Sequence, residues 1–152
     1  MENRYEFKAT AYWVLARRGI VSAQDVPQAI EFAAAAEFGG EKEMWTPEHF
    51  FLSAVATCYV STFRAIAEHN KFDTVALDVT VEGVLEREPG GYRFTELHVK
   101  PLLTIANEED RERGFKLLDK AEHGCLISRS LNSRVILEPV VEVSDLVAET
   151  SY

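Results

Sequence analysis

Residues 46–68 are the stretch that any fold of this chain has to accommodate. They read as one helix, apolar around most of its circumference, with Cys58 near its middle. Thr46 is suited to cap the first free amides and Pro47 to occupy the first helical position, and Glu48 and His49 follow before the apolar run begins. A helix apolar on nearly every side must be covered on most of them, which makes this a core or interface element. Ser53, Thr57, Ser61, Thr62 and Arg64 interrupt it too often for a membrane span, which needs roughly 20 predominantly apolar residues.

The 152 residues suit one domain over 1–152, long enough to bury a substantial core. Hydrophobic residues at 47% and charged residues at 27% speak against disorder. The net charge of −9 speaks against nucleic acid or an anionic membrane as partner, because both demand clustered Lys and Arg. A neutral or weakly charged small molecule suits it better. Residues 1–6 lack the apolar core of a signal peptide, so a cytoplasmic location is expected. Two cysteines there rest reduced, and any disulfide between them would be transient and redox-active.

Before the helix, residues 5–15 read as a strand ending in a hairpin turn at residues 16–19. Residues 20–25 then return, and residues 30–33 form a short third strand beyond the break at Pro27. Residues 37–43 make a polar, glycine-bearing and mobile connection into the helix. Asn70 and Lys71 end the helix. Residues 74–85 alternate as a half-buried strand, Pro89, Gly90 and Gly91 turn the chain, and residues 92–105 return as the second arm of an antiparallel hairpin. Pro101 suggests an exposed or irregular end to that arm. Asn107 is placed to cap an amphipathic helix over residues 108–122, which Gly124 stops in a left-handed conformation. A short helical turn over residues 126–131 and a last strand over residues 134–143 complete an α+β fold with antiparallel sheet around a central helix. The tail beyond Asp145 is expected to be loosely held.

Cys58 shares its helical face with Phe51, Ala54, Val55, Ser61, Thr62 and Ala65, whose mostly small side chains leave room for a substrate. Cys125, on the turn after Gly124, can reach it. A thiol that reduces peroxide needs an ionised sulfur, a cation to favour that state and a second thiol to resolve the sulfenic acid. The plain alternative is packing, since free cysteine is among the most buried residue types. The histidines at 49, 69, 98 and 123 match none of the usual Cys/His zinc spacings. Arg64 faces away from Cys58 on the helix and suits an ion pair. Met44, Phe50, Phe51, Tyr59 and Phe63 either wall an apolar pocket or pack as core.

Two segments carry a resemblance. Glu37-Phe38-Gly39-Gly40, followed by the run from Trp45 through Thr57-Cys58, and then Ala121-Glu122-His123-Gly124-Cys125-Leu126-Ile127-Ser128-Arg129-Ser130-Leu131, are similar in order and spacing to the OsmC/Ohr family of osmotically induced and organic hydroperoxide resistance proteins. The resemblance spans residues 8–143. It implies an OsmC-like α+β fold, with antiparallel sheets wrapped around long central helices in an intertwined homodimer, and thiol-dependent reduction of organic hydroperoxides. It places Cys58 on the peroxidatic position, Cys125 on the resolving position, Glu48 on the glutamate of the helix entry, and Arg17 or Arg18, with Arg17 favoured, on the arginine after the first strand. No metal or organic cofactor is implied. The reductant implied is a dithiol, often lipoyl-linked. This chain departs from the family in having Leu126 where proline commonly follows the second cysteine.

Glu48 and Cys58 are ten residues apart, about 15 Å along a continuous helix. If one arginine is to touch both, either the helix starts after Glu48 or the glutamate comes from the other subunit. The shared site is the expectation adopted. The rival from a different class is a non-catalytic small-molecule-binding or regulatory dimer of the same fold.

Overall fold

The computed structural model describes residues 3–144, so the tail beyond Asp145 lies outside the described residues. The chain divides into two compact units, Met1–Phe51 and Leu52–Tyr152. In the first, β1 (Ala9–Leu15), β2 (Arg18–Ala23) and β3 (Ile30–Ala33) form an antiparallel meander. The first hairpin is tighter than the sequence suggested. Leu15 pairs with Arg18 and Ala16 takes a left-handed φ of 49°, so β2 begins two residues before Ile20. Tyr12, Trp13, Val14 and Leu15 are all exposed. Successive strand residues point to opposite faces, so both faces of β1 are apolar and uncovered.

The connection after β3 is folded rather than loose. Residues Ala36–Phe38 make a 3-10 turn, and the N–H groups of Gly40 and Glu41 return to the carbonyls of Ala35 and Ala34. Only glycine fits at position 40, where a Cβ would strike the Ala34 carbonyl. Thr46 then caps α1 (Pro47–His69) through a reciprocal pair. The His49 N–H donates to Thr46 Oγ1 at 3.2 Å, and the Thr46 N–H donates to His49 Nδ1 at 3.0 Å. Histidine thus takes the place that a glutamate fills in the usual capping box.

The greater part of α1 belongs to the second unit, where Val55, Tyr59, Phe63 and Ala67 form its buried stripe. Phe63 meets Phe72 edge to face, and Tyr59 donates to the Leu118 carbonyl at 2.8 Å. By length and composition alone the helix could cross a membrane, with mean hydropathy 1.4 over its most apolar window and 22% of that window buried. The hydroxyl-bearing residues therefore do not exclude a span by themselves, because each returns little polarity once its hydroxyl bonds the preceding turn, as Thr57 and Ser61 do. The helix ends as expected. Lys71 takes a left-handed φ of 51°, and the N–H groups of Lys71 and Phe72 bond the carbonyls of Glu68 and Ala67.

The hairpin of β4 (Ala76–Glu88) and β5 (Gly91–Ile105) turns at Pro89 and Gly90, whose φ of 100° only glycine adopts freely. The last strand of the sequence reading is two strands, β6 (Arg134–Leu137) and β7 (Val140–Val143), and both run parallel to β5. Pro101 explains the division. It is fully buried in mid-strand, not at an exposed end, and it falls between the last β6 pair at Val99 and the first β7 pair at Leu102. A residue without an N–H is tolerated at that gap in the ladder, opposite the Glu138-Pro139 corner. Asn107 likewise caps a separate 3-10 turn, Glu108–Asp110, and makes no side-chain cap bond; α2 (Arg111–Gly124) starts after it. Gly124 is the last residue of α2 and is not among the residues of positive φ, so left-handedness is not why glycine stands there. Cys125 then leads into α3 (Leu126–Arg129).

The corner between β6 and β7 is fastened by His98, whose Nδ1 lies 2.9 Å from Glu138 Oε1 and whose Nε2 lies 3.2 Å from Glu96 Oε2. Hydrogen bonds to Glu138 and Glu96 raise the His98 pKa, and His98 in turn lowers that of Glu138. A raised histidine pKa contributes stability that is complete below its unfolded value and is lost as pH rises through the folded value. Thermal unfolding should therefore occur at lower temperature at pH 8.5 than at pH 6, and His98→Gln should remove most of that difference.

Candidate functional site

Cys58 lies one position before Tyr59, at the edge of the buried stripe of α1, and is half-buried; Cys125 is fully buried. The anchoring of Tyr59 on Leu118 therefore also sets where α1 presents Cys58 to the end of α2. The two thiols are close enough to influence each other's ionisation. Thr62, one turn further along α1, brings its Oγ1 to 3.9 Å from the Cys58 Sγ. The peptide N–H groups of Leu126 and Ile127 also favour its ionised form.

The environments drive the two thiols apart. Burial opposes ionisation of Cys58, but hydrogen bonds from the Ile127 N–H, the Cys125 thiol, the Thr62 hydroxyl and the Leu126 N–H outweigh it and hold the thiol below its ordinary range. Burial pushes Cys125 up, and the adjacent Cys58 sulfur reinforces this against two hydrogen bonds from Ser128. Cys58 is thus the more readily ionised of the two sulfurs. Tyr59, buried nearby, is pushed well above the ordinary range, first by desolvation and then by Glu122 and Asp119, and so remains a neutral hydroxyl.

Arg17 and Glu48 belong to the first unit. Arg17 donates through Nη1 to the Phe38 carbonyl at 2.7 Å, and its guanidinium lies against the Cα of Gly39, where a side chain would crowd it. Arg18 has a separate engagement, with its Nε 2.8 Å from Glu41 Oε2 and its Nη2 directed at Met44 Sδ. That difference favours Arg17 as the less committed cation, since an amide carbonyl neutralises no charge. Glu48 sits in the first turn of α1 with Oε2 buried and without a hydrogen-bond partner.

Of the aromatic side chains considered as pocket walls, Tyr59 and Phe63 are core, and Phe50 stacks on Trp45 with centroids 5.5 Å apart. Met44 lines a depression of about 300 Å³ with Glu43, Trp45 and His49. Arg64 makes the ion pair expected of it, with Glu68 at 3.8 Å. Among the described residues no group of three or more His, Cys, Asp or Glu side chains is gathered for a metal ion. The sequence reading placed Thr62 on the Cys58 face only as a small residue that left room. It missed the Leu126 and Ile127 amides altogether, because a peptide N–H has no signature in the sequence.

The model of the OsmC-like protein family matches residues 39–139. The uncharacterized protein YmaD of Bacillus subtilis is 30% identical over 105 residues, which cover 67% of this chain and 70% of that protein. Among solved structures, an OsmC-like protein of unknown function from Vibrio cholerae superposes with a TM-score of 0.79 at 17% identity, covering 90% of this chain and 100% of the other. An organic hydroperoxide resistance protein OsmC from Legionella pneumophila gives 0.74 at 26% identity, covering 93% and 100%.

The opposed ionisation of the two thiols has a direct consequence for labelling. Iodoacetamide at pH 7 should alkylate Cys58 at least about tenfold faster than Cys125, because thiolate fraction and access both favour it; peptide mass spectrometry at short times reads the ratio.

Proposed function

The chain belongs to the OsmC-like family, and from that membership we propose that it is a cysteine-based peroxidase that reduces organic hydroperoxides. What supports this reading is the placing of two thiols together, Cys58 on α1 and Cys125 just ahead of α3, with Cys58 lowered and Cys125 raised. Two titratable groups pushed apart in this way divide the roles of nucleophile and proton donor. The Legionella relative, named an organic hydroperoxide resistance protein, supports the choice of substrate class.

In the proposed reaction the Cys58 thiolate attacks the terminal oxygen of the hydroperoxide. The O–O bond breaks, and the alkoxide leaves and takes up a proton to become an alcohol. Cys58 is left as a sulfenic acid. The Cys125 sulfur then attacks it, a water molecule is released, and the two sulfurs join as a disulfide, so the two electrons that reduce the peroxide come from the two thiols. An external dithiol, in this reading a lipoyl-linked one, restores both cysteines by exchange. The chemistry requires no metal or organic cofactor. The compartment proposed is the cytoplasm.

Arg17 and Glu48 enter the proposal as an ion pair that favours the Cys58 anion. Because α1 is helical from Pro47 onward, Glu48 and Cys58 are separated by about 15 Å on one helix, which supports the reading of a homodimer in which a second copy supplies the glutamate. The uncovered apolar faces of β1 and α1 and the unpartnered Glu48 Oε2 suit such an arrangement.

With cumene hydroperoxide and a dithiol reductant, the protein should turn over. Cys58→Ser should abolish peroxide consumption, and Cys125→Ser should consume one equivalent and stop. Turnover retained by both variants would mean the roles are misassigned, and a folded wild-type protein inert to the peroxide would favour the non-catalytic binder.

A further inference from the structure

We propose that Gly124 and Thr62 are positioning residues for the thiol pair: the Thr62 methyl, lodged where Gly124 has no side chain, sets how closely the end of α2 approaches α1 and so whether Cys58 and Cys125 can close a disulfide. This deepens the peroxidase reading and rests on it for its purpose, although its test needs no peroxide.

One side chain bears on both cysteines. Thr62 brings its Oγ1 to 3.9 Å from the Cys58 Sγ, and its Cγ2 faces Gly124, the residue before Cys125. A Cβ at Gly124 would lie 3.2 Å from that methyl, inside the ~3.5–4.0 Å at which carbons pack. The φ of Gly124 is not positive, and alanine is the better helix former, so the close approach is what calls for glycine. Threonine is branched at Cβ and stiff about χ1. Its methyl therefore does not swing aside without turning the hydroxyl away from Cys58.

The backbone passes this contact on to Cys125. Tyr59 ties α1 to α2 through the Leu118 carbonyl at 2.8 Å, and Gly124 lies six residues further on, about 9 Å along the helix. An added Cβ would tilt the end of α2 away from α1 about that tether. Cys125 moves with it, because its N–H donates to the Glu122 carbonyl at 3.4 Å and its carbonyl accepts the Arg129 N–H at 3.1 Å. The residue is also fully buried, so packing restrains its side chain from following Cys58 across a wider gap. A disulfide demands Cβ atoms about 3.5–4.5 Å apart, and a small displacement of one partner disfavours it.

The test is the thiol–disulfide equilibrium of the protein in buffers of glutathione and glutathione disulfide, read by mass spectrometry after acid quenching, with folding checked by circular dichroism. The two protein thiols give up two protons and two electrons to glutathione disulfide, which becomes two glutathione thiols, and the Cys58–Cys125 bond forms. Gly124→Ala should lower the equilibrium constant for this disulfide about threefold or more. Thr62→Ser, which removes the methyl and keeps the hydroxyl, should leave it unchanged, and Gly124→Ala combined with Thr62→Ser should restore the wild-type value. A general loss of stability would not be repaired by removing one methyl from another helix. If Gly124→Ala does not fold, the double variant decides the matter: folding with the wild-type equilibrium supports the proposal, and failure to fold or a weakened disulfide overturns it. A wild-type equilibrium in folded Gly124→Ala overturns it too, as does a wild-type protein that forms no Cys58–Cys125 disulfide. The predicted shifts in a protein that does not consume hydroperoxide would leave this inference standing and remove the peroxidase reading.

Discussion

The hydroxyl of Tyr59 donates to the Leu118 carbonyl at 2.8 Å inside the core, and the position of both cysteines depends on that coupling of α1 to α2. A buried hydroxyl must find a partner or lose about 1–3 kcal/mol, so the bond fixes the rotation of α1 about its axis. Val55, Phe63 and Ala67 follow Tyr59 into the core at intervals of four residues. Cys58 and Thr62 precede Tyr59 and Phe63 by one residue each, so they are carried to the flank of the stripe. The end of α2 and the start of α3 close over that flank because Gly124 has no side chain.

The chemistry follows from the same closeness. Burying a thiol disfavours its anion, as it does for Cys125. Cys58 escapes that tendency because the Thr62 hydroxyl on its own helix and the segment that covers it together outweigh the cost of burial. Because the second thiol and the neighbouring N–H groups come from one short stretch, residues 125–127, whatever moves that stretch changes the surroundings of Cys58 and its access to Cys125 together.

Much of this was legible in the sequence where local rules dominate. The capped start of α1, its end at Asn70 and Lys71, the β4–β5 hairpin and the third strand over residues 30–33 follow from residue types at fixed offsets. The two cysteines stood out for the same reason, and the OsmC-like resemblance joined them. The division of the last strand was hidden because it depends on Pro101, 33 residues earlier in the chain than Arg134, occupying a gap in the ladder. Gly124 invited the common explanation of a helix stop, whereas its reason is the methyl group of Thr62 on another helix. Backbone N–H groups leave no trace in residue type, and Leu126 stood out only as a departure from the family's proline.

The most direct test of the central claim is the intact mass of the reduced protein after one equivalent of cumene hydroperoxide, measured without reductant. The account predicts a loss of about 2 Da, with proteolysis placing the missing hydrogens in a single Cys58–Cys125 disulfide. A mass that is unchanged, or that rises by about 16 or 32 Da through oxygen retained on Cys58 with Cys125 still free, would contradict it.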